Sequence, residues 1–345
     1  MDKVIHNRRG YTNLDAAKFL MSLLIIVIHT RPFAQTSLAV DFLTADVIAR
    51  IAVPLFYGIS GFLLFGKLEY EDGKVKRCPG NRKLLLHSVV RNAGVYGICS
   101  VAYILFSLPS WYASGWWGMP MVKSCIISFF LSGSHYHLWF LLAMIYAVPL
   151  LAVVLQFVPI RKLPPVLAVC WLVECRIYSY DWIAEGLPVM EWICSRFPIF
   201  FDAAFRALPL LGLGALAAKL PAVRNSSTYA RGALAGVLLN GVEATQLLCL
   251  TPNEAHFSYL LTTPLTAYCL LRWLLMRQQL GISGQHAVSL RKLSLWVYCI
   301  HPMAIQLLTV AGLEGGLLRW LAVTLLSVAV SVGAVTLIRA MRRAK

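Results

Sequence analysis

Apolar runs long enough to cross a bilayer alternate with short polar stretches along this whole chain. They predict ten transmembrane helices, at about 13–34, 47–66, 84–108, 138–158, 164–179, 200–219, 230–250, 257–277, 292–312 and 316–338. In lipid a helix satisfies its own backbone groups, so the expected fold class is an all-α polytopic bundle, one integral membrane domain over residues 1–345. The apolar segment SCIISFFLS, ahead of SGSHYHLWF, is too short to span and is expected to be re-entrant or interfacial. Glu69 to Pro79 reads as a polar cytoplasmic loop and the most insertion-tolerant site. The sequence contains no internal repeat, heptad array or low-complexity linker.

Composition agrees with the pattern: of 345 residues, 59% are hydrophobic and only 13% charged. A net charge of +16 would suggest nucleic acid for a soluble chain, but here it fits an excess of Lys and Arg in cytoplasmic loops. Counting loops alternately, one set holds Lys3, Arg8, Arg9, Lys74, Lys76, Arg77, Arg82, Lys83, Arg161, Lys162, Lys219, Arg224, Arg231, Arg277, Arg291, Lys292 and the basic tail. The other set has few bases, Arg31, Lys123 and Arg196 among them, and the acids Asp41, Asp181, Glu185, Glu191, Glu254 and Glu314. Both termini are therefore expected in the cytoplasm of a multi-pass cell-membrane protein, and an even helix count agrees. The first apolar run follows basic residues, as a signal peptide would, but the His within it and the nine later spans favour an uncleaved helix. The nine cysteines form no CxxC pair and are expected reduced, with no metal site.

Candidate chemistry centres on the first helix, NLDAAKFLMSLLIIVIHTRP. Lys18 and His29 are eleven residues apart, so they project from nearly the same face, separated by a rise of about 16 Å. Ionisable side chains at such depth face a bundle interior or a cavity, and His exchanges protons near neutral pH. The third helix opens with Arg82, Lys83, His87 and Arg91, a group able to bind phosphates, or an ordinary positive-inside loop. Arg91 sits deepest in the apolar run and needs a partner. His137 and Trp139 precede the fourth helix, with His135 two residues before His137, a spacing unsuited to one helical metal site. Asp202 and Arg206, four apart, form an ion pair or meet substrate. Glu243, mid-helix, is expected to meet a cation or carry a raised pKa. Glu174 could pair with Arg176 or snorkel outward. Tyr298 and His301 share a face in WVYCIHP, where Pro302 leaves a kink and a loosened carbonyl. Ser60 and Gly61 in GISGF allow close helix approach. The sequence contains no GxSxG elbow, Walker loop, HExxH or Rossmann fingerprint.

A basic residue, ten residues, then a His in the first helix resembles the hallmark of the membrane proteins of acyltransferase family 3. VPLFYGISGFLL is similar to that family's second helix, HLWFLLAMIY to its Trp-containing fourth, and LWVYCIHPM to a segment near its end. DAAKFLMSLLIIVIHTRPF, RIAVPLFYGISG and SHYHLWF further resemble the membrane half of the membrane-bound serine racemases of vancomycin-resistant bacteria. Those proteins continue into a pyridoxal-phosphate domain, and none is expected in a chain ending at Lys345, so neither that cofactor nor racemization is expected here.

The resemblance implies O-acyl transfer, expected to be acetyl, from cytoplasmic acyl-CoA to a hydroxyl of a cell-envelope carbohydrate or related acceptor. His29 and Lys18 would be catalytic, and Arg91, Arg82, Lys83 and His87 would hold the acyl-CoA. Glu243, Tyr298, His301, His137, Trp139, Asp202 and Arg206 would serve the substrate or support the site. The expected partners are membrane lipid, acyl-CoA and the acceptor, with no nucleic acid. Many family members carry two Arg three apart in the third helix, whereas this chain has Ser88 and Arg91. That departure keeps open a carrier for a small amino acid such as serine, with His29, Glu243 and Asp202 binding cargo or protons.

Overall fold

A computed structural model describes residues 11–180, 188, 204–223, 225–250, 257–277 and 284–343. Eleven helices fill the described residues, with one two-stranded hairpin. They are α1 Thr12–Thr30, α2 Leu38–Phe65, α3 Pro79–Ala113, α4 Met119–Leu131, α5 Trp139–Phe157 and α6 Leu163–Tyr178. Then follow α7 Leu208–Lys219, α8 Ser226–Leu250, α9 Thr263–Met276, α10 Gly284–Val310 and α11 Gly316–Arg343. Seven, namely α1, α2, α3, α5, α8, α10 and α11, are long and apolar enough to cross a membrane. The shorter α6, α7 and α9 stand where the remaining three spans are expected. The eleventh, α4, is the short segment ahead of SGSHYHLWF, and it buries none of its residues.

The chain divides into two compact units, one holding residues up to Phe56 and from Ala222 on, the other Tyr57–Pro221. In the first, α1 packs along α10, α10 against α11, and α8 against α9. Ile26, Val297, Ala304 and Val323 form an apolar cluster where α1, α10 and α11 meet, with Phe19, Leu23 and Trp320 packed on it. The start of α2 is irregular: one α-turn, a π-helix over Phe42–Ile48, a 3-10 turn over Ala49–Ile51, and regular helix from Ala52. Such π segments recur at functional sites.

In the second unit α3 packs on α5, and α7 packs on α5 and α6. GISGF acts as expected: a Cβ on Gly61 would lie 2.1 Å from the Leu211 carbonyl oxygen, and one on Gly214 would lie 2.1 Å from that of Gly58. Bare backbones therefore touch where α2 crosses α7. The inward face of α3 is polar, with Asn81, Ser88, Asn92, Tyr96, Ser100, Tyr103 and Ser107 buried. Its apolar Ile98, Val101 and Leu105 are exposed, as suits a lipid-facing side.

The loop expected over Glu69 to Pro79 is an ordered hairpin. β1 Tyr70–Glu71 pairs antiparallel with β2 Lys74–Val75, and Val75 is buried. Asn81 of α3 ties it down, accepting from the Glu69 N–H and donating to the Glu69 and Lys76 carbonyls at 2.8–2.9 Å. Only the tip, Asp72–Gly73, both at positive φ, keeps the character of an insertion-tolerant turn.

Candidate active site

Lys18 and His29 both meet α10, Lys18 through its backbone and His29 through its ring. The Ser294 hydroxyl donates to the Lys18 carbonyl at 3.0 Å, and the His29 ring stacks on that of His301, with centroids 5.4 Å apart and 25° between planes. Ser22 lies between them, fully buried. The α1–α10 contact thus brings His301 to His29. His301 is fully buried, and its Nδ1 lies 2.9 Å from the Tyr298 carbonyl oxygen and 3.2 Å from that of Val297. Carbonyl oxygens only accept, so Nδ1 carries the proton. Tyr298, buried beside it, has its ring centroid 6.3 Å from that of His301.

Two charged features of the first unit were not legible as a site. Asp15, one turn before Lys18, is buried, and its carboxylate lies 3.8 Å from Arg291 of α10. Beyond the other end of α1, Arg31 adopts a left-handed conformation, φ 45°, and its guanidinium is clamped by two buried carboxylates. It donates to Asp41 at 2.8 Å and to both oxygens of Asp46 at 3.1 and 2.7 Å. Asp46 also meets Arg50 at 3.4 Å, and Arg50 donates to Ser258 at 2.8 Å. Hydrogen bonding to Asp46, more than the neighbouring charges, holds the Arg31 pKa above its ordinary value despite burial. The sequence signal was Asp41, Asp46 and Arg50 at irregular spacing, which a π-helix brings together and a regular α-helix does not.

Glu243 meets the start of α9: its carboxylate accepts from the backbone N–H of Leu261 at 2.5 Å and of Thr262 at 3.2 Å. The Thr262 hydroxyl lies 3.0 Å from the same carboxylate and 2.5 Å from the Asn240 side-chain oxygen. A helix N-terminus carries partial positive charge and open N–H groups, so it serves a buried carboxylate as a cation would.

The remaining candidates belong to the second unit. Arg82, Lys83, His87 and Arg91 are all exposed on α3. Lys83, His87 and Arg91, at spacing four, form one basic stripe beside the buried polar face. His135 and His137 lie in a turn ahead of α5 rather than on a helix, and they face each other with Nδ1 atoms 3.1 Å apart. One must donate and the other accept. The Tyr103 ring stacks on His135 at 4.3 Å and meets the edge of His137 at 4.9 Å. Burial pulls the His135 pKa down to about 4. Among the described residues no three His, Cys, Asp or Glu side chains gather as a metal requires.

Trp139 follows on α5, with the Arg206 guanidinium 5.2 Å from its ring and 4.5 Å from that of Tyr178. Arg206 donates to the Tyr178 hydroxyl at 2.5 Å, and Asp202, its expected partner, lies outside the described residues. The loop acids Asp181, Glu185, Glu191 and Glu254 lie outside them too. Glu174 is fully buried and does not snorkel.

A family profile described as an acyltransferase domain matches residues 11–338 of the chain. An amino-acid racemase of Enterococcus faecalis is 24% identical over 351 residues, covering 97% of this chain and 46% of that protein. A serine/alanine racemase of Enterococcus gallinarum is 24% identical over 333 residues, covering 91% of this chain and 44% of that protein. The chain thus spans less than half the length of these curated relatives. No solved structure matches it.

Proposed function

The chain belongs to the acyltransferase family whose profile it matches over residues 11–338, and from that premise we propose that it moves an acyl group, expected to be acetyl, from cytoplasmic acyl-CoA to a hydroxyl of a cell-envelope carbohydrate or related acceptor. The observation that carries this reading is His29 stacked on buried His301 along the α1–α10 contact. A base placed among helices suits a reaction whose acceptor must lose a proton away from bulk water.

His29 takes the hydroxyl proton as the acceptor oxygen attacks the thioester carbonyl. The new C–O bond forms, the C–S bond breaks, and the coenzyme A thiolate leaves and takes the proton back. Lys18 orients the donor or neutralises charge on it. The basic stripe Lys83, His87 and Arg91, with Arg82, holds the nucleotide phosphates from the cytoplasmic side.

A second reading draws on the names of the relatives, which act on amino acids: a carrier for a small amino acid such as serine. One experiment separates the two. Purified protein supplied with radiolabelled acetyl-CoA and cell-envelope carbohydrate is expected to release coenzyme A and label the carbohydrate. Uptake of labelled serine into proteoliposomes, with no turnover of acetyl-CoA, would replace acyl transfer by the carrier.

A further inference from the structure

Pro302 has no backbone N–H, so the carbonyl four residues earlier loses its helical partner. That carbonyl belongs to Tyr298, and the His301 side chain takes it up at 2.9 Å through Nδ1. The ring is fully buried and bonded within its own helix turn, so its plane is fixed, and it stacks on His29 at 25° with centroids 5.4 Å apart. Two linked contacts therefore run from a missing N–H to the orientation of the proposed base. Backbone geometry sets the Tyr298 carbonyl, the carbonyl sets the His301 ring, and the ring sets His29.

We propose that His301 is the positioning residue for His29, held in one tautomer and one plane by the carbonyl that Pro302 leaves without a helical partner. The proposal rests on acyl transfer by His29 and adds how that imidazole is aimed. It acts through the stacked contact of the two rings. A small displacement of a reacting group costs much rate, and about 1 Å can lower it 10²-fold. Substrate affinity need not change, because His301 acts on the base and not on the donor.

Three variants test this, each checked for monodisperse behaviour and an unchanged melting temperature. His301→Ala removes the stacking face, and kcat should fall about 10²-fold with KM for acetyl-CoA unchanged. His301→Phe restores a flat ring without nitrogen and should recover most of the lost kcat. Pro302→Ala returns an N–H that competes for the Tyr298 carbonyl, and kcat should fall with KM again unchanged.

A second readout does not depend on turnover: the rate at which diethyl pyrocarbonate modifies His29, followed by mass spectrometry. It should rise several-fold in His301→Ala and return toward the wild-type value in His301→Phe. Absence of acetyl transfer in the wild type would fail the acyl-transfer reading, while the modification rates would still report the positioning. Unchanged kcat and unchanged His29 modification in His301→Ala would overturn the proposal. A His301→Phe variant as inactive as His301→Ala would overturn it as well, because the nitrogen and not the ring face would then be what matters.

Discussion

At the scale of single residues, the four basic side chains of α3 differ mainly in depth. Arg82 and Lys83 stand in the first turn, where salt screens them strongly. Arg91 lies about 12 Å further along the helix axis, toward the apolar run, where a phosphate contact is screened less. A charge-assisted hydrogen bond is worth about 1.5–3 kcal/mol, so Arg91→Ala should raise KM for acyl-CoA about ten- to a hundredfold and leave kcat nearly unchanged. Arg82→Ala and Lys83→Ala should each change it less. If those two lose activity while Arg91→Ala keeps it, the phosphates bind nearer the helix start. Part of the residue-level picture was legible in the sequence. The meeting of Tyr298 with His301 follows from a spacing of three on one helix. The partner of Glu243 was not legible, because the start of α9 reaches it from a different helix and no local spacing records that. The facing of His135 and His137 was hidden for the opposite reason: a turn, not a helix, carries them, so helical spacing misjudges their relation.

At the scale of elements, the crossing of α2 and α7 depends on bare backbone. Gly61→Ala puts a methyl group against the Leu211 carbonyl, where nothing flexible can give way. Overpacking of this kind costs about 1–3 kcal/mol, and the purified protein should melt at a lower temperature. A variant that melts as the wild type does would show that the two helices separate freely. GISGF announced this contact in the sequence, although its partner Gly214 was not paired with it there. The π-helix at Phe42–Ile48 left no such trace. It accompanies the ion cluster: Asp41 and Asp46, five residues apart across it, both reach Arg31, and Asp46 also meets Arg50. The hairpin at Tyr70–Val75 reads as loop in the sequence because its strands are two residues each, too short for an alternating pattern.

At the scale of the whole molecule, the asymmetry of loop charge predicts that both termini and the Tyr70–Val75 hairpin face the cytoplasm. Cysteine introduced at Asp72, on the exposed hairpin tip, should resist an impermeant maleimide in intact cells. The same substitution at Trp117, exposed between α3 and α4, should react. Asp72 serves better than its neighbour Val75, which is buried and would resist labelling on either side. Reaction at position 72 in intact cells, with none at 117, would invert the orientation and place the basic stripe of α3 away from cytoplasmic acyl-CoA. The membrane class and nearly every helix were legible from apolar run length alone. The two-unit division was not, because run length says nothing of which helices pack together.

The central claim is that His29 takes the acceptor's proton during acyl transfer. The most direct measurement compares His29→Gln with His29→Ala and wild type in transfer from radiolabelled acetyl-CoA, at matched expression and melting temperature. Gln keeps hydrogen-bonding capacity but has no useful basicity, so the pair separates chemistry from structure. Loss of a general base costs on the order of 10²–10⁴ in rate, and both variants should lose transfer to that extent. Near wild-type transfer by His29→Gln would contradict the account and make His29 a structural residue.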